Sequence, residues 1–566
     1  MIQSLISSVR RHPTLLLALL LVITFIPFLG ETLFNTKGEP REAIVAVSMI
    51  QSGDWILPVS NGDIPYKPPM LAWCIAILSF LNGFEINEYI SRLPSALSMI
   101  GMTMVVYHYT RRSTGSTSTA ITTALILASM FEVNRAATNC RVDMLLTAFM
   151  VIAIYRLALN QRVSARFIDL PSILLLSGAV LTKGPVGMVI PCAIVWIYLI
   201  LNGNKLWRTT LSLAVTGIAS LILPLLWYIA AYNQGGSEFL DLVIEENFGR
   251  MTGSMSYESH VNPWWYNLVT LVAGMLPYTM LLLALPFTTG RSRLTTAVIR
   301  DKWTKTSGFD RLMIISALFI FIFYCIPASK RSVYLLPMYP MMAYAVARYI
   351  YTLYNKRPAI LKTYSAIIAS LPVIVVVAVI AIKITGPFGH KSTLIATRGL
   401  VEYNPGIVGW VVILISLGMS YLTWKAIIRV PSPSASIKRA IVTTLTLYWV
   451  FSSFLRPAVL NLKSDLTVAR QLETMYQHSE LPQSWLGNEL NRFYTINFYL
   501  DNHLTRIDTL QRQSGQLLVA RRHIDSLHNT FGHKYDFSIT HQFDHRSCDL
   551  RDEICIVNYK LINDTK

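Results

Sequence analysis

Met70-Leu71-Ala72-Trp73-Cys74-Ile75-Ala76-Ile77-Leu78-Ser79-Phe80-Leu81 is an apolar run of about twelve residues, and its length decides the fold. A helix that crosses a bilayer needs about 20 residues; a run of about twelve reads as re-entrant or interfacial. A longer apolar run, 13–30, precedes it and follows Arg10 and Arg11. Another, 93–109, follows it and ends at Arg111 and Arg112. Short loops rich in Lys and Arg stay on the cytoplasmic side. Arg10/Arg11 and Arg111/Arg112 share a side only if two of the three runs cross. The short one therefore stays on the outer face, and residues 31–91 form an outer segment carrying it.

The same alternation runs along the chain. Further basic clusters lie at Arg162/Arg166, Lys205/Arg208, Arg291 to Arg311, Lys356/Arg357/Lys362 and Lys425/Arg429/Lys438/Arg439. Expected spans are the first run and 92–110, 118–133, 142–160, 170–184, 185–202, 210–232, 264–287, 312–328, 332–352, 363–383, 407–424 and 440–456, about thirteen in all. Lys183-Gly184-Pro185 separates 170–184 from 185–202, and parity favours two helices there over one broken one. The first run lacks a small-x-small cleavage site and reads as a retained span.

Of the 566 residues, 53% are hydrophobic and only 14% are charged, where a soluble domain would carry about 25%. The net charge of +18 is explained by the cytoplasmic loops. No basic cluster is interleaved with aromatics, so nucleic acid is excluded as a partner. After Arg456-Pro457 the composition turns polar. Residues 1–456 read as a membrane domain and 457–566 as a small α/β domain outside the membrane. Its strand-like runs (517–520, 554–559) alternate with helix-like ones (465–476, 521–529).

Charges near a bilayer need a reason. On this topology the outer face collects Glu39, Arg41, Glu42, Lys67, Arg92, Arg135, Arg141, Asp143, Lys183, Glu245, Glu246, Arg250, His260, Lys330 and Arg331, mostly at span ends. Positive-inside statistics predict few cations there. Lys183 and Lys330 each sit between two apolar runs. With Arg250 they suit a phosphate or pyrophosphate, bound through charge-assisted hydrogen bonds. The competing reading is that Asp143, Glu245 or Glu246 pairs with them to tie spans together. His260 equally reads as an interfacial histidine. Trp55, Trp264 and Trp265 suit an aromatic belt.

Six cysteines are present. Cys74, Cys192 and Cys325 read as core residues, and Cys140 as a thiol at a span end. Cys548 and Cys555 are the disulfide candidate, favoured by an oxidising outer compartment. His541-x3-His545-x2-Cys548-x6-Cys555 keeps zinc as an alternative.

Glu39-Pro40-Arg41, Ser52-Gly53-Asp54-Trp55 with Pro58, Lys67-Pro68-Pro69, Arg92-Leu93-Pro94-Ser95-Ala96, Arg141 with Asp143, Leu181-Thr182-Lys183-Gly184-Pro185, Glu246-Asn247 with Arg250, and Ser329-Lys330 with Tyr334, Pro337 and Pro340 follow one another in order. Together they resemble the lipid A aminoarabinose transferases (ArnT-like) and the wider polyprenyl-phosphate-sugar transferases of the GT-C fold, which include protein O-mannosyltransferases. Past residue 345 the resemblance is architectural only.

The resemblance implies a transferase that takes a sugar from an undecaprenyl (polyprenyl) phosphate carrier on the outer leaflet of a bacterial inner membrane. Its acceptor is a lipid, glycan or protein, and the enzyme is expected to act as a monomer. It implies an acidic residue of the first loop as base, here Glu39. It implies Arg41, Lys67, Lys183, Arg250, Lys330 and Tyr334 around the carrier phosphate, and Asp143, Glu246 and His260 orienting the sugar. An acceptor hydroxyl needs a carboxylate partner, and a departing phosphate needs fixed positive charge. The chain departs from the pattern twice. Gly38 stands where the family usually has Asp, and Tyr66 where it often has a Glu able to take part in metal binding; no such metal is expected. A polytopic lipid or glycan transporter or flippase is the alternative, although no internal repeat is seen and the charges gather at one face.

Overall fold

The computed structural model describes residues 12–562 apart from 66, 160–168, 250–260, 289–295, 391, 430–432, 488 and 490–491. Tyr66, Arg250 and His260 lie outside the described residues, as do Arg10, Arg11, Arg162, Arg166 and Arg291.

Among the described residues six helices are long and apolar enough to cross a membrane: Glu88–Thr114, Val142–Leu159, Leu206–Ile244, Gly308–Cys325, Pro358–Thr385 and Gly406–Arg429. Shorter apolar helices include Pro13–Phe25, Thr117–Ser129, Leu170–Lys183 and Val186–Leu201. The chain is a multi-pass membrane protein. The stretch 264–287 is no single helix but three pieces, Tyr266–Gly274, Thr279–Leu282 and Leu285–Thr288.

Helix ends follow local chemistry. The Asn87 side chain accepts from the Ile90 N–H at 3.0 Å and starts Glu88–Thr114. Gly184, at φ +83°, closes Leu170–Lys183, and Val186–Leu201 begins after Pro185. Two helices thus stand where two spans are expected.

The decisive run folds as helix Met70–Leu78, continued by a 3-10 turn, Ser79–Asn82. At 1.5 Å per residue it is about 20 Å long, short of a bilayer's core of about 30 Å. Leu71, Ala72, Ile75 and Ala76 are buried against the helix Pro40–Ser52, with Ile90 and Phe498 in the same cluster. Ile77, Phe80 and Leu81 face outward. One apolar face is therefore covered by protein and the other is not, as in an interfacial helix.

The C-terminal unit carries a four-stranded sheet of β1 (Gln483–Ser484), β2 (Ser514–Ala520), β3 (Tyr535–Arg546) and β4 (Glu553–Leu561), in the order β1-β2-β4-β3. β1 and β2 are parallel; the other pairs are antiparallel. Alternation along β2 and β4 feeds two cores. Leu518, Ala520, Ile554 and Ile556 face the helix Leu466–Met475. Leu517, Val519, Cys555 and Val557 face Trp485 and Leu527.

This arrangement corrects the disulfide expectation. Cys548 and Cys555 are both free. Cys555 points to the Trp485 face. Cys548 lies beyond the strand on the other side, where its thiol is 3.3 Å from the Thr495 hydroxyl and its N–H donates to Asp465 at 2.9 Å. The two thiols thus sit in different surroundings, one in the turn before β4 and one in the Trp485 core, and are not bridged.

The sheet unit is tied to the first loop. The Asp63 carboxylate accepts from Arg492 at 2.8 Å and Arg506 at 2.6 Å. The Tyr499 hydroxyl donates to Glu88 at 2.6 Å and accepts the Phe34 N–H at 3.0 Å. Residues 31–69 are thereby held between the sheet unit and the helices.

Candidate active site

A cavity of about 2780 Å³ opens between the first loop, the helix ends and the sheet unit. Its lining includes apolar side chains, among them Phe131, Leu276, Ile368, Leu371, Val375 and Leu447. It also carries many charges. Lys37, Glu39, Arg41, Glu42 and Lys67 come from the first loop, and Arg141, Arg331, Glu245 and Glu246 from the helix connections.

Glu39 lines this cavity but does not face it freely. Arg92 donates to it from Nε at 2.8 Å and from Nη2 at 3.1 Å. The Cys140 N–H adds a third bond at 2.9 Å. Burial opposes the charge; Arg92 and then Cys140 outweigh it and hold the carboxyl below its ordinary value. Glu39 is a buried tie between the first loop and helix Glu88–Thr114, which corrects its assignment as base.

Glu42 lies one turn into Pro40–Ser52. Its Oε1 accepts from Lys67 and has Arg41 at 3.6 Å. Burial raises the Glu42 carboxyl, but Lys67 and Arg41 pull it below its usual range. Burial pushes the Lys67 ammonium down to about 8, with Glu42 acting against that. Lys67 is thus bound to a carboxylate, where the sequence reading gives it to phosphate.

Position 38 explains the neighbourhood. A Cβ on Gly38 would lie 1.8 Å from Arg141 Nη2 and 2.6 Å from its Cζ. The guanidinium occupies the space that a side chain at 38 would need. Among the described residues the Arg141 and Arg331 side chains make no hydrogen bond or ion pair, and both line the cavity. Burial first, and then the Arg331 charge, push Arg141 down. Two cations that repel one another across an open cavity form an anion site. Neither stood among the expected phosphate ligands. The signal was present, since Arg141 and Arg331 belong to the outer-face cations and each is one or two residues from a residue that was chosen.

Lys183 and Tyr334 do meet. Lys183 Nζ donates to Asp143 at 2.5 Å and sits 4.5 Å from the Tyr334 ring centre. Asp143 therefore orients Lys183, one of its two expected roles. The pair ties Val142–Leu159 to Leu170–Lys183, and neither residue lines the cavity. Lys330 is only 5% exposed, and its ammonium donates to the Pro327 carbonyl at 2.7 Å and the Asn262 carbonyl at 3.2 Å. It fastens the connection before Ser332–Met338; Ser329 and Arg331 face the cavity in its place. Glu246 lies in a π-helical turn, Glu245–Gly249, at the cavity wall.

The described residues beside Glu42 include few metal donors. Position 38 offers no carboxylate, and Glu42 already carries an ammonium. Among the described residues the one group with metal-binding spacing is Asp465, Cys548 and Asp549, in the sheet unit. His545 bonds Asp465 at 2.9 Å, whereas His541 packs on Phe543. Burial and the neighbouring Asp465 push Asp549 up to about 7.

The family Dolichyl-phosphate-mannose-protein mannosyltransferase matches residues 66–228. The crystal structure of apo ArnT from Cupriavidus metallidurans superposes with a TM-score of 0.69 at 17% identity, covering 96% of this chain and 97% of that one. The chain has the GT-C fold.

Curated proteins are similar to this chain over part of its length. An undecaprenyl phosphate-alpha-4-amino-4-deoxy-L-arabinose arabinosyl transferase of Shewanella sediminis is 27% identical over 361 residues, 62% of this chain. A second, from Proteus mirabilis, is 25% identical over 342 residues, 59% of this chain. An uncharacterized Aquifex aeolicus protein is 28% identical over 336 residues, also 59% of this chain. The matched segments span 61%, 59% and 63% of those relatives' own lengths, respectively.

Proposed function

We propose that this ArnT-like chain is an integral membrane glycosyltransferase. It moves a sugar from an undecaprenyl (polyprenyl) phosphate carrier to an acceptor at the outer face of a bacterial inner membrane. The observation that carries this reading is the apposition of Arg141 and Arg331, without carboxylate partners among the described residues, in a cavity that is also lined by apolar side chains. A polyprenyl phosphate has those two parts, a phosphate and a hydrocarbon chain. One ArnT structure from Cupriavidus metallidurans was solved bound to undecaprenyl phosphate, which supports the same ligand here.

In this reading the phosphate binds the two guanidiniums and the prenyl chain lies along the apolar side chains of the lining. The bond between the anomeric carbon and the phosphate oxygen breaks, and the phosphate leaves with an added negative charge. Fixed cations stabilise that charge as it forms, and in a dry cavity they do so more strongly than in water. The two guanidiniums supply this stabilisation. The acceptor enters from the sheet-unit side, and the active site and sheet unit face the periplasm. Mass spectrometry of lipids and glycans from a strain lacking the chain tests the reading. One glycoconjugate is expected to lose a sugar while the corresponding polyprenyl-phosphate sugar accumulates; an unchanged profile of both contradicts it.

A further inference from the structure

We infer that the general base of this chain is Glu42, four residues after Gly38, and that Arg141 occupies the space a side chain at position 38 would fill. This rests on the glycosyltransferase reading and names the residue that activates the acceptor.

A base must face the reacting space with an unoccupied oxygen. Glu39 has both oxygens bound by Arg92 and the Cys140 N–H. Asp143 is bound by Lys183 and does not line the cavity. Gly38 has no side chain, and Arg141 covers its Cα. Glu42 lines the cavity, receives Lys67 on Oε1, and keeps Oε2 without a hydrogen bond among the described residues. Gly38 and Glu42 both line the cavity, and Arg141 lies against the first and acts on the second. Arg141 acts on Glu42 electrostatically, which puts base and phosphate site side by side. Glu42 is also in the first turn of Pro40–Ser52, where the helix dipole favours a carboxylate.

The step balances. The acceptor hydroxyl gives its proton to Glu42 Oε2 as its oxygen bonds to the anomeric carbon. The bond from that carbon to the phosphate oxygen breaks, and its electron pair leaves with polyprenyl phosphate, on Arg141 and Arg331. Glu42 returns the proton to water. Lys67 positions Glu42 and keeps it ionised before the step.

The test uses the full-length chain in lipid nanodiscs and a lipid extract from cells lacking it, which supplies donor and unmodified acceptor together. Undecaprenyl phosphate release is the readout. E42Q is expected to lose at least about 100-fold in rate, the usual scale for removing a general base, while binding undecaprenyl phosphate within about twofold of the parent. E42D is expected to retain a measurable fraction, and added formate to raise the rate of E42A, which a merely structural Glu42 would not show. A rate for E42Q within threefold of the parent overturns the assignment, as does an E42A rate indifferent to formate with its melting temperature preserved. If the parent chain itself releases no undecaprenyl phosphate, the glycosyltransferase reading fails instead.

Discussion

Arg92 grips both oxygens of Glu39 across 53 residues of sequence. Its third nitrogen, Nη1, donates to the Leu29 carbonyl at 2.7 Å and the Thr32 carbonyl at 2.6 Å. One guanidinium therefore fixes the exit from the first helix, the start of Pro40–Ser52 and the helix it belongs to. Removing one partner of a buried pair leaves an uncompensated charge and costs about 3–5 kcal/mol. R92A is expected to lower the unfolding temperature sharply in detergent, and E39Q to do so less because an amide still accepts from Arg92. Differential scanning fluorimetry of the two variants checks the order.

The Lys67 ammonium gives the reaction an alkaline limit. Its proton leaves near pH 8, against an ordinary value of 10.5. Glu42, Arg41 and Glu246 are the charges that act on it. Transfer is expected to fall as pH rises through 8, and K67R to keep its rate to about pH 10 because a guanidinium stays charged. The fall does not report unfolding. Between pH 8 and 10.5 the unfolded chain holds more protons at this position than the folded one, so this group's contribution to stability increases with pH there. Rate and melting temperature measured together over pH 6–10 separate the two.

Arg141 and Arg331 are expected to govern carrier affinity. A hydrogen bond to a charged group contributes about 1.5–3 kcal/mol, so R141A and R331A should each raise the KM for donor by roughly 10–100-fold. K330A is expected to lower stability with little change in KM, because its ammonium holds two backbone carbonyls. Donor titrations on the three variants distinguish phosphate ligand from loop fastener.

Cys548 and Cys555 are expected to be thiols in the mature protein. Alkylation after denaturation without reductant should label both, and reductant should leave the melting of the sheet unit unchanged. Peptide mass spectrometry reads both sites directly.

Much of the fold was legible because apolar length and basic loops are one-dimensional signals. The short run at Met70 needed only its length, and Lys183-Gly184-Pro185 only its helix-breaking chemistry. The strands around residues 517–520 and 554–559 were visible from composition, while β3, with exposed Ser538, Ile539 and Thr540, was not. The site was legible as a set of charges and illegible as a set of pairs. Nothing in Glu39 says that Arg92 will take both its oxygens. Lys330 and Arg331 are neighbours in sequence with opposite fates, one turned onto backbone carbonyls and one into the cavity. Gly38 read as a missing carboxylate; its meaning, a seat for Arg141, required three dimensions. The disulfide candidate failed because β4 turns Cys555 into the Trp485 core, while the turn before it sets Cys548 against Asp465 and Thr495.

The central claim is that sugar leaves a polyprenyl phosphate in this cavity. The most direct measurement supplies the purified chain, in nanodiscs, with a polyprenyl-phosphate sugar labelled in the sugar, together with the lipid extract of cells lacking the chain. The account predicts that label moves to an extract component as undecaprenyl phosphate is released in equal amount, and that R141A/R331A prevents both. An intact donor after incubation, coupled with its passage across the bilayer of proteoliposomes, would contradict it.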